Sequence, residues 1–468
     1  MPWWLRCRIS TCRGLLFALD RAAPGGAEQT ASRILPLLSM PDVAAGLGIA
    51  PEDRIKARVQ RGIDRLLTFQ RADGAFAAWS PKGDLDPWLT AYAVDVLGRA
   101  KAAGYRIPDQ PYRKGLDWMK QAVDNAWVET ADLPGRAYAL YVLARAKLID
   151  AGALRYFREN YWDRLPTDFG RAQIAAAAAA LGDQPAAADA FAKLTGARMV
   201  SAGLRDHGSS LRDEAGVVAL LAESGAVDRD RIFQAAERVA KTFAAVRTTN
   251  PQEQAWLLLA SKALIDRAAP MKLVIGDQTV ENAKPQILRI DPAAPPAIRN
   301  LGGEVRQTVS VAGVPDQPAG AEEQGMTIRR RLFDMAGRPV DPAGVRHNDL
   351  LVVILEGEVG DPLDHSVLVS DPLPAGFEIE NVRLANSGQL GKLSWLGELS
   401  SVRNVEFRDD RFLAAVDLPK AAPRFRLVYL VRAVTPGDFA APGAHVQDLQ
   451  RPHLSARTAV SRLRVLPE

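Results

Sequence analysis

Asp84 and Asp86 stand two residues apart in DLDPW, just downstream of QRADGAFAAW (residues 70–79). Paired carboxylates can protonate an alkene when clustered, or flank a glycosidic bond when they face each other with distinct pKa values. These two occupy a proline-containing loop, where a cap ahead of a helix over Trp88–Ala100 is the simpler reading. The acids elsewhere are plentiful, and the sequence does not place two of them across a cleft. Five histidines, His207, His347, His365, His445 and His453, are scattered without ligand or triad spacing. His207, in RDHGSS, is the candidate for a role, against a default of a loop or capping histidine. Cys7 and Cys12 are the only cysteines. Without nearby histidines they make no zinc site, and they leave the rest of the chain no disulfide framework. No serine elbow, phosphate loop or metal signature appears, so neither cofactor nor metal is expected.

The elements that must position such residues follow two grammars. Up to about residue 266 the chain reads as helix after helix. Ile55, Val59, Ile63, Leu66 and Leu67 recur at spacings of three and four, as do Ile232, Ala236, Val239 and Phe243. A related phrase returns about every forty residues: LTAYAVDVLGRA from Leu89, GRAYALYVLARA from Gly135, FGRAQIAAAAAALGD from Phe169, RDEAGVVALLAESG from Arg212 and QEQAWLLLASKAL from Gln252. Small residues suit these returning helices to a close-packed inner layer, with longer charged helices outside. The run Ala175–Ala180 fits an inner helix. Asn250, Pro251 and Glu253 mark a helix start. No polar capping helix closes either end of the array, which favours a closed α/α toroid over an open solenoid.

Past Pro270 the runs become strand-like. APMKLVIGDQTV and LLVVILEGEVG are rich in Val, Ile and Leu; HSVLVSDPLPAGFEIENVRL reads strand, turn, strand; VEFRDDRFLAAVDL turns at Asp409-Asp410; and FRLVYLVRAVTPGDF ends at Pro436-Gly437. Short strands at this spacing predict a β-sandwich. Residues 314–325, VPDQPAGAEEQG, read as a loop or linker. The triplet Arg329-Arg330-Arg331 reads as the solvated face and end of a strand. The fold class is therefore mainly α followed by β, an α/α toroid plus β-sandwich domains.

That order resembles the C-terminal part of a bacterial α2-macroglobulin, in which a toroidal thioester domain interrupts a CUB-like β-domain and a macroglobulin sandwich follows. The resemblance runs from about Leu15 onward and is carried by LDRAAPGGAEQTASRILPLL, QRADGAFAAWSPKGDLDPWLTAYAVDVLGRAKAAGY, QEQAWLLLASKAL, DPLPAGFEIENVRL, VEFRDDRF and YLVRAVTPGDFAAPGAHVQDLQRP. The family's reactive motif is Gly-Cys-x-Glu-Gln, whose thiol and glutamine carbonyl condense into a thioester. The two ends of that bond are i and i+3, which face each other across one helical turn. Here the motif reads Gly25-Gly26-Ala27-Glu28-Gln29. Glu28 and Gln29 match, Gly26 stands at the cysteine position, and Gln29 has nothing to condense with. Cys7 and Cys12 are out of register with that turn. The resemblance is thus to the thioester-less branch, with Gly26, Glu28 and Gln29 marking an inactive motif.

The resemblance implies an endopeptidase inhibitor and not an enzyme, acting if at all by non-covalent trapping within a full-length periplasmic protein. Its implied partners are proteases and an upstream macroglobulin chain. It divides the chain into a toroid over residues 1–268 with an atypical leader at 1–14, a CUB-like β segment at 269–325, and a C-terminal macroglobulin-like sandwich at 326–468. The middle segment is expected to be incomplete, with MKLVIGDQTV and EVRQTVSVAGV short of sheet partners. The rival expectations are a toroid enzyme on glycan or polyprenyl substrates and a non-inhibitory interaction module. QRADGAFAAW is similar to the Q-x-x-D-G-x-W repeats of triterpene cyclases, but one repeat falls short of many. Composition excludes other classes. At 468 residues, 47% apolar and 24% charged, with a net charge of +4, the chain shows no basic stripe for nucleic acid. No run approaches about 18 apolar residues, the length of a membrane span. The leader MPWWLRCRISTCRGLLFALD lacks the apolar core and cleavage site of a signal peptide.

Overall fold

The computed structural model describes residues 14–467 apart from residues 17, 20–24, 47–49, 125–131, 196–205, 247, 268–269, 283–285, 287, 289, 292, 304, 306–316, 319 and 381–392. Cys7 and Cys12 lie outside the described residues. The chain divides into two compact units, residues 1–246 with 251–311, and residues 247–250 with 312–468.

Twelve helices of the first unit are α1 (Ala27–Ser39), α2 (Pro41–Gly46), α3 (Glu52–Leu67), α4 (Pro87–Ala102), α5 (Asp109–Asp124), α6 (Leu133–Arg145), α7 (Ala151–Tyr161), α8 (Asp168–Ala180), α9 (Gln184–Ala192), α10 (Ser210–Ser224), α11 (Arg229–Ala245) and α12 (Pro251–Ile265). They sort into two layers by burial. In α4, α6, α8, α10 and α12 nearly every side chain of the central turns is buried, whereas α3 buries only Ile55, Val59, Ile63 and Leu66. A helix buried all round belongs inside, and one with a single apolar stripe belongs outside. The inner helices α1, α4, α6, α8, α10 and α12 each pack on the next, and α12 packs on α1, so the ring closes. The alanines at 175–178 are buried at these close contacts, as the helix propensity and small size of alanine allow.

The first unit also holds a small sheet of β1 (Met271–Ile275), β2 (Gln278–Asn282) and β3 (Ile298–Asn300), in the order β2-β1-β3. MKLVI is therefore paired on both sides, while β2, the second half of MKLVIGDQTV, is an edge. EVRQTVSVAGV lies almost wholly outside the described residues. Leu273 is the one buried side chain of the three strands, and Leu288, Ile290, Ile298 and Leu301 are exposed beside them. With so little burial, amides of β1, β2 and β3 should exchange at least about 100-fold faster than those of the inner helices. Equal protection, measured by hydrogen exchange, would show that another part of the protein covers this sheet.

The second unit is a sandwich built from β4 (Glu322–Gln324), β5 (Met326–Asp334), β6 (Val345–Arg346), β7 (Leu350–Val359), β8 (His365–Pro372), β9 (Phe377–Ile379), β10 (Asn404–Arg408), β11 (Arg411–Leu418), β12 (Arg424–Ala433), β13 (Gly437–Ala441), β14 (His445–Asp448), β15 (Ser455–Arg457) and β16 (Ser461–Leu466). A six-stranded sheet β10-β11-β8-β14-β15-β4 faces a four-stranded sheet β5-β7-β12-β9, and β13-β16-β6 forms a third. The inward rows Leu351, Val353, Leu355 and Phe425, Leu427, Tyr429 meet Val367, Val369 and Phe412 in one core. The other face of the four-stranded sheet is also covered, by Leu396 and Trp395 over Phe333, Val352, Ile354 and Leu430. Burial on both faces explains why LLVVIL is a continuous apolar run.

HSVLVSDPLPAGFEIE is strand, turn, strand as expected, its two strands β8 and β9 lying in different sheets. Two expectations need correction here. Residues 322–324 are not loop but the edge strand β4, paired with β15. Arg330 is not on a solvated face: the alternation that turns Met326 and Ile328 inward turns it inward too, where its Nη1 meets the buried Asp371 at 2.7 Å.

Candidate functional site

Each inner helix opens with an acid: Glu28 in α1, Asp86 before α4, Asp132 before α6, Asp168 in α8, Asp213 in α10 and Glu253 in α12. Outer helices return the chain between inner ones, so the positive ends of the inner helices gather at one end of the ring, and carboxylates answer that field. The Ser209 hydroxyl, the cap of α10, donates to Glu253 at 2.6 Å, and Gly135 at the start of α6 abuts the backbone of Pro87 and Trp88.

Asp86 caps α4 by accepting from the Leu89 N–H at 2.9 Å. Its other oxygen lies 2.6 Å from His207 Nε2. Burial pushes the Asp86 carboxyl up, but the His207 charge and hydrogen bond outweigh it and hold the group below its usual range. Burial likewise works against the His207 imidazolium. Asp86, together with the charges of Glu28 and Asp206, overrides it and raises His207 to about 9. His207 also carries a left-handed backbone, φ 49°, uncommon for a residue with a side chain. Asp84, by contrast, is exposed on the loop. Of the two aspartates of DLDPW, only Asp86 is thus engaged in a cap and an ion pair.

The pair has a pH signature. A raised histidine contributes stability that is complete below the ordinary imidazole pKa of 6.5 and is lost as pH rises through about 9. The lowered Asp86 adds stability above its ordinary 3.8 that is lost as pH falls through its depressed value. His207→Gln should therefore cost about 2 kcal/mol near neutral pH and almost nothing above about pH 10. Denaturant titrations of both proteins across that range measure it; a cost that does not change with pH would mean His207 is uncharged in the fold.

Deeper in the ring, Glu28 is 7% exposed. It accepts from the Ser32 hydroxyl at 2.7 Å, and Ser32 meets the Tyr92 hydroxyl at 3.1 Å. Burial pushes the Glu28 carboxyl up, more than the nearby His207 charge, Ser32, the Gln252 amide and Arg212 pull it down. Burial also pushes the Tyr92 hydroxyl up. Arg212 is fully buried between the rings of Trp88 and Phe169, 4.9 and 4.8 Å from their centroids. Its Nη2 binds Asp206 at 3.0 Å and its Nε binds Asp213 at 2.7 Å.

The backbone of the motif is buried beside this cluster. The Ala27 N–H donates to the Ala78 carbonyl at 2.8 Å, drawing the 70–79 loop onto the start of α1. A Cβ at position 26 would lie 2.0 Å from that carbonyl oxygen and 3.2 Å from Trp79. Gln29 folds back over Gly25, its side chain 2.7–2.8 Å from where a Gly25 Cβ would stand. The loop is itself tightly made. Gln70 Nε2 donates to the carbonyls of Gly74 and Pro111, each at 2.9 Å, and Phe76 N–H donates to Thr90 Oγ1 at 2.9 Å. Gly74, at φ 99°, lets the turn approach Lys114. QRADGAFAAW is thus a clamp that places Ala78 over Gly26. Sequence reasoning marked Gly26, Glu28, Gln29, Asp86 and His207 but missed Ser32, Tyr92, Arg212 and Gln252, which read as ordinary helix residues.

Residues 325–453 match the family model of the bacterial α2-macroglobulin MG10 domain, and residues 19–132 match that of the A-macroglobulin TED domain. The α2-macroglobulin of Escherichia coli (strain K12) is 29% identical over 95% of this chain and 28% of its own length. That of Xylella fastidiosa (strain Temecula1) is 29% identical over 92% of this chain and 28% of its own. The chain therefore spans about 28% of the length of these curated relatives. The native E. coli α2-macroglobulin solved from domain MG7 to the C-terminus superposes with a TM-score of 0.81 at 28% identity, covering 98% of this chain and 75% of that one. A Salmonella α2-macroglobulin reacted with methylamine gives 0.82 at 27% identity, covering 98% and 31%.

Proposed function

The chain belongs to the bacterial α2-macroglobulin family, and we propose that it is the C-terminal part of a longer inhibitor that restrains endopeptidases without a covalent bond to them. The observation that carries this reading is the contact of Gly26 with Ala78. Acylation of a protease needs a thiol one turn before Gln29. Position 26 has no side chain, and the carbonyl of Ala78 fills the space in which one would begin. Restraint would then come from a change of shape in the whole inhibitor, with proteases as partners, further macroglobulin domains beside these, and the periplasm as compartment. The polar cluster supports a structural role for this end of the toroid: Glu28 is closed in by Ser32 and Gln252, Asp84 is exposed, and Asp86 is engaged by His207 and the Leu89 N–H. Among the described residues no helix is long and apolar enough to cross a membrane.

Methylamine tests the chemistry. The purified protein should keep its intact mass after incubation with the amine and should form no denaturant-resistant adduct with a protease. Methylamine addition at Gln29, or a native mass lower by about 17 daltons from lost ammonia, would overturn the reading.

A further inference from the structure

The sandwich of the second unit has an open seam that the inhibitor reading does not use. Arg330 from β5, Val353 from β7, Tyr429 from β12, Phe377 from β9 and Leu463 from β16 line a cleft of about 400 Å³. Its lining is mostly apolar, with Arg330, Arg331, Thr458 and Ser461 among the polar members. Arg330 donates through Nη1 to Asp371 Oδ1 at 2.7 Å, and the Tyr429 hydroxyl donates to Asp371 Oδ2 at 2.8 Å. Both oxygens of Asp371 are therefore occupied. A guanidinium has five N–H donors, and among the described residues this one uses a single bond to protein. Arg330 keeps 13% of its side chain exposed, so its remaining donors open on the cleft and not into packed core.

We propose that this cleft binds a monocarboxylate with a compact apolar body, its carboxylate on the free edge of Arg330. A fixed cation in a mostly apolar cleft selects an anion with a hydrocarbon tail, and the planar fork takes a carboxylate through two parallel bonds where an alcohol takes one. Phe377, Val353 and Leu463 receive the tail. The volume suits a chain of roughly eight to ten carbons. Arg331 also lines the cleft, although its charge is engaged by Glu356. Burial already pushes the Asp371 carboxyl up, which lessens its repulsion of a second carboxylate beside Arg330. The site stands independently of protease restraint and of Gly26.

Calorimetric titration of the whole chain with octanoate, 1-octanol and octylamine tests it. Octanoate should bind, and the alcohol and amine should bind at least about tenfold more weakly. Arg330→Gln should weaken octanoate by at least about tenfold. That substitution strips a partner from buried Asp371 and can unsettle the sandwich, so a second variant leaves the ion pair alone. Ser461 is exposed at the rim, and Ser461→Trp should block the cleft and abolish octanoate binding with thermal unfolding unchanged. No octanoate binding, equal binding of octanol, or binding undiminished by Ser461→Trp would each overturn the proposal.

Discussion

Replacing Arg212 by methionine should destabilise the helical ring by about 3–5 kcal/mol, the cost of leaving buried carboxylates without their cation. The side chain is 0% exposed, and its partners Asp206 and Asp213 are 2% and 5% exposed. Methionine fills much of the space between Trp88 and Phe169, so the loss would report charge and not a cavity. Arg212→Lys keeps the charge but not the fork. One ammonium cannot reproduce bonds from Nε and Nη2 to two aspartates while resting against both rings, so an intermediate loss is expected. Pairing Arg212→Met with Asp206→Asn should recover part of the loss, because one uncompensated charge goes with its partner. Denaturant unfolding followed by circular dichroism reads all three. A loss below about 1 kcal/mol for Arg212→Met would mean that Asp206 and Asp213 are buried as neutral acids.

Arg212 also shows where the sequence stops being legible. The toroid could be read because its helices repeat and differ in kind: small-residue helices buried all round inside, single-striped ones such as α3 outside. The sandwich could be read because strand runs and turn residues are local signals, as at Asp409-Asp410, where Arg408 pairs with Arg411. Arg330 was legible in principle, since strand alternation places it in the row of Met326 and Ile328. The triplet of arginines hid that period. The interior of the polar cluster was not legible. Asp86 and His207 are 121 positions apart in sequence. Ser32 and Tyr92 occupy helix positions where a hydroxyl has no local signature, and only the packing of α1 on α4 brings them together. The 70–79 loop was misleading in a specific way. Its Gln, Asp and Gly suggest a catalytic repeat, yet their bonds build a turn whose product is the position of one carbonyl, that of Ala78.

That carbonyl makes adjacent glycines unequal. Gly26→Ala should cost about 2–3 kcal/mol, the range for overpacking against something that cannot retreat cheaply. The added carbon would lie 2.0 Å from Ala78 O, a backbone atom already held by the Ala27 N–H at 2.8 Å. Gly25→Ala meets atoms as near, at 2.7–2.8 Å, but they belong to the Gln29 side chain, which can swing to another rotamer. Its cost should stay below about 1 kcal/mol. The contrast separates close approach from generic loss of glycine, since neither residue has a positive φ that would itself demand glycine. Gly26→Cys should suffer the same loss as alanine and gain no thioester: its Cβ must first displace the 70–79 clamp, and Gln29 is turned back over Gly25. Its intact mass should show no loss of about 17 daltons, and methylamine should add nothing. If that variant instead folds at full stability and becomes sensitive to methylamine, the clamp can retreat, and position 26 lacks only its sulfur.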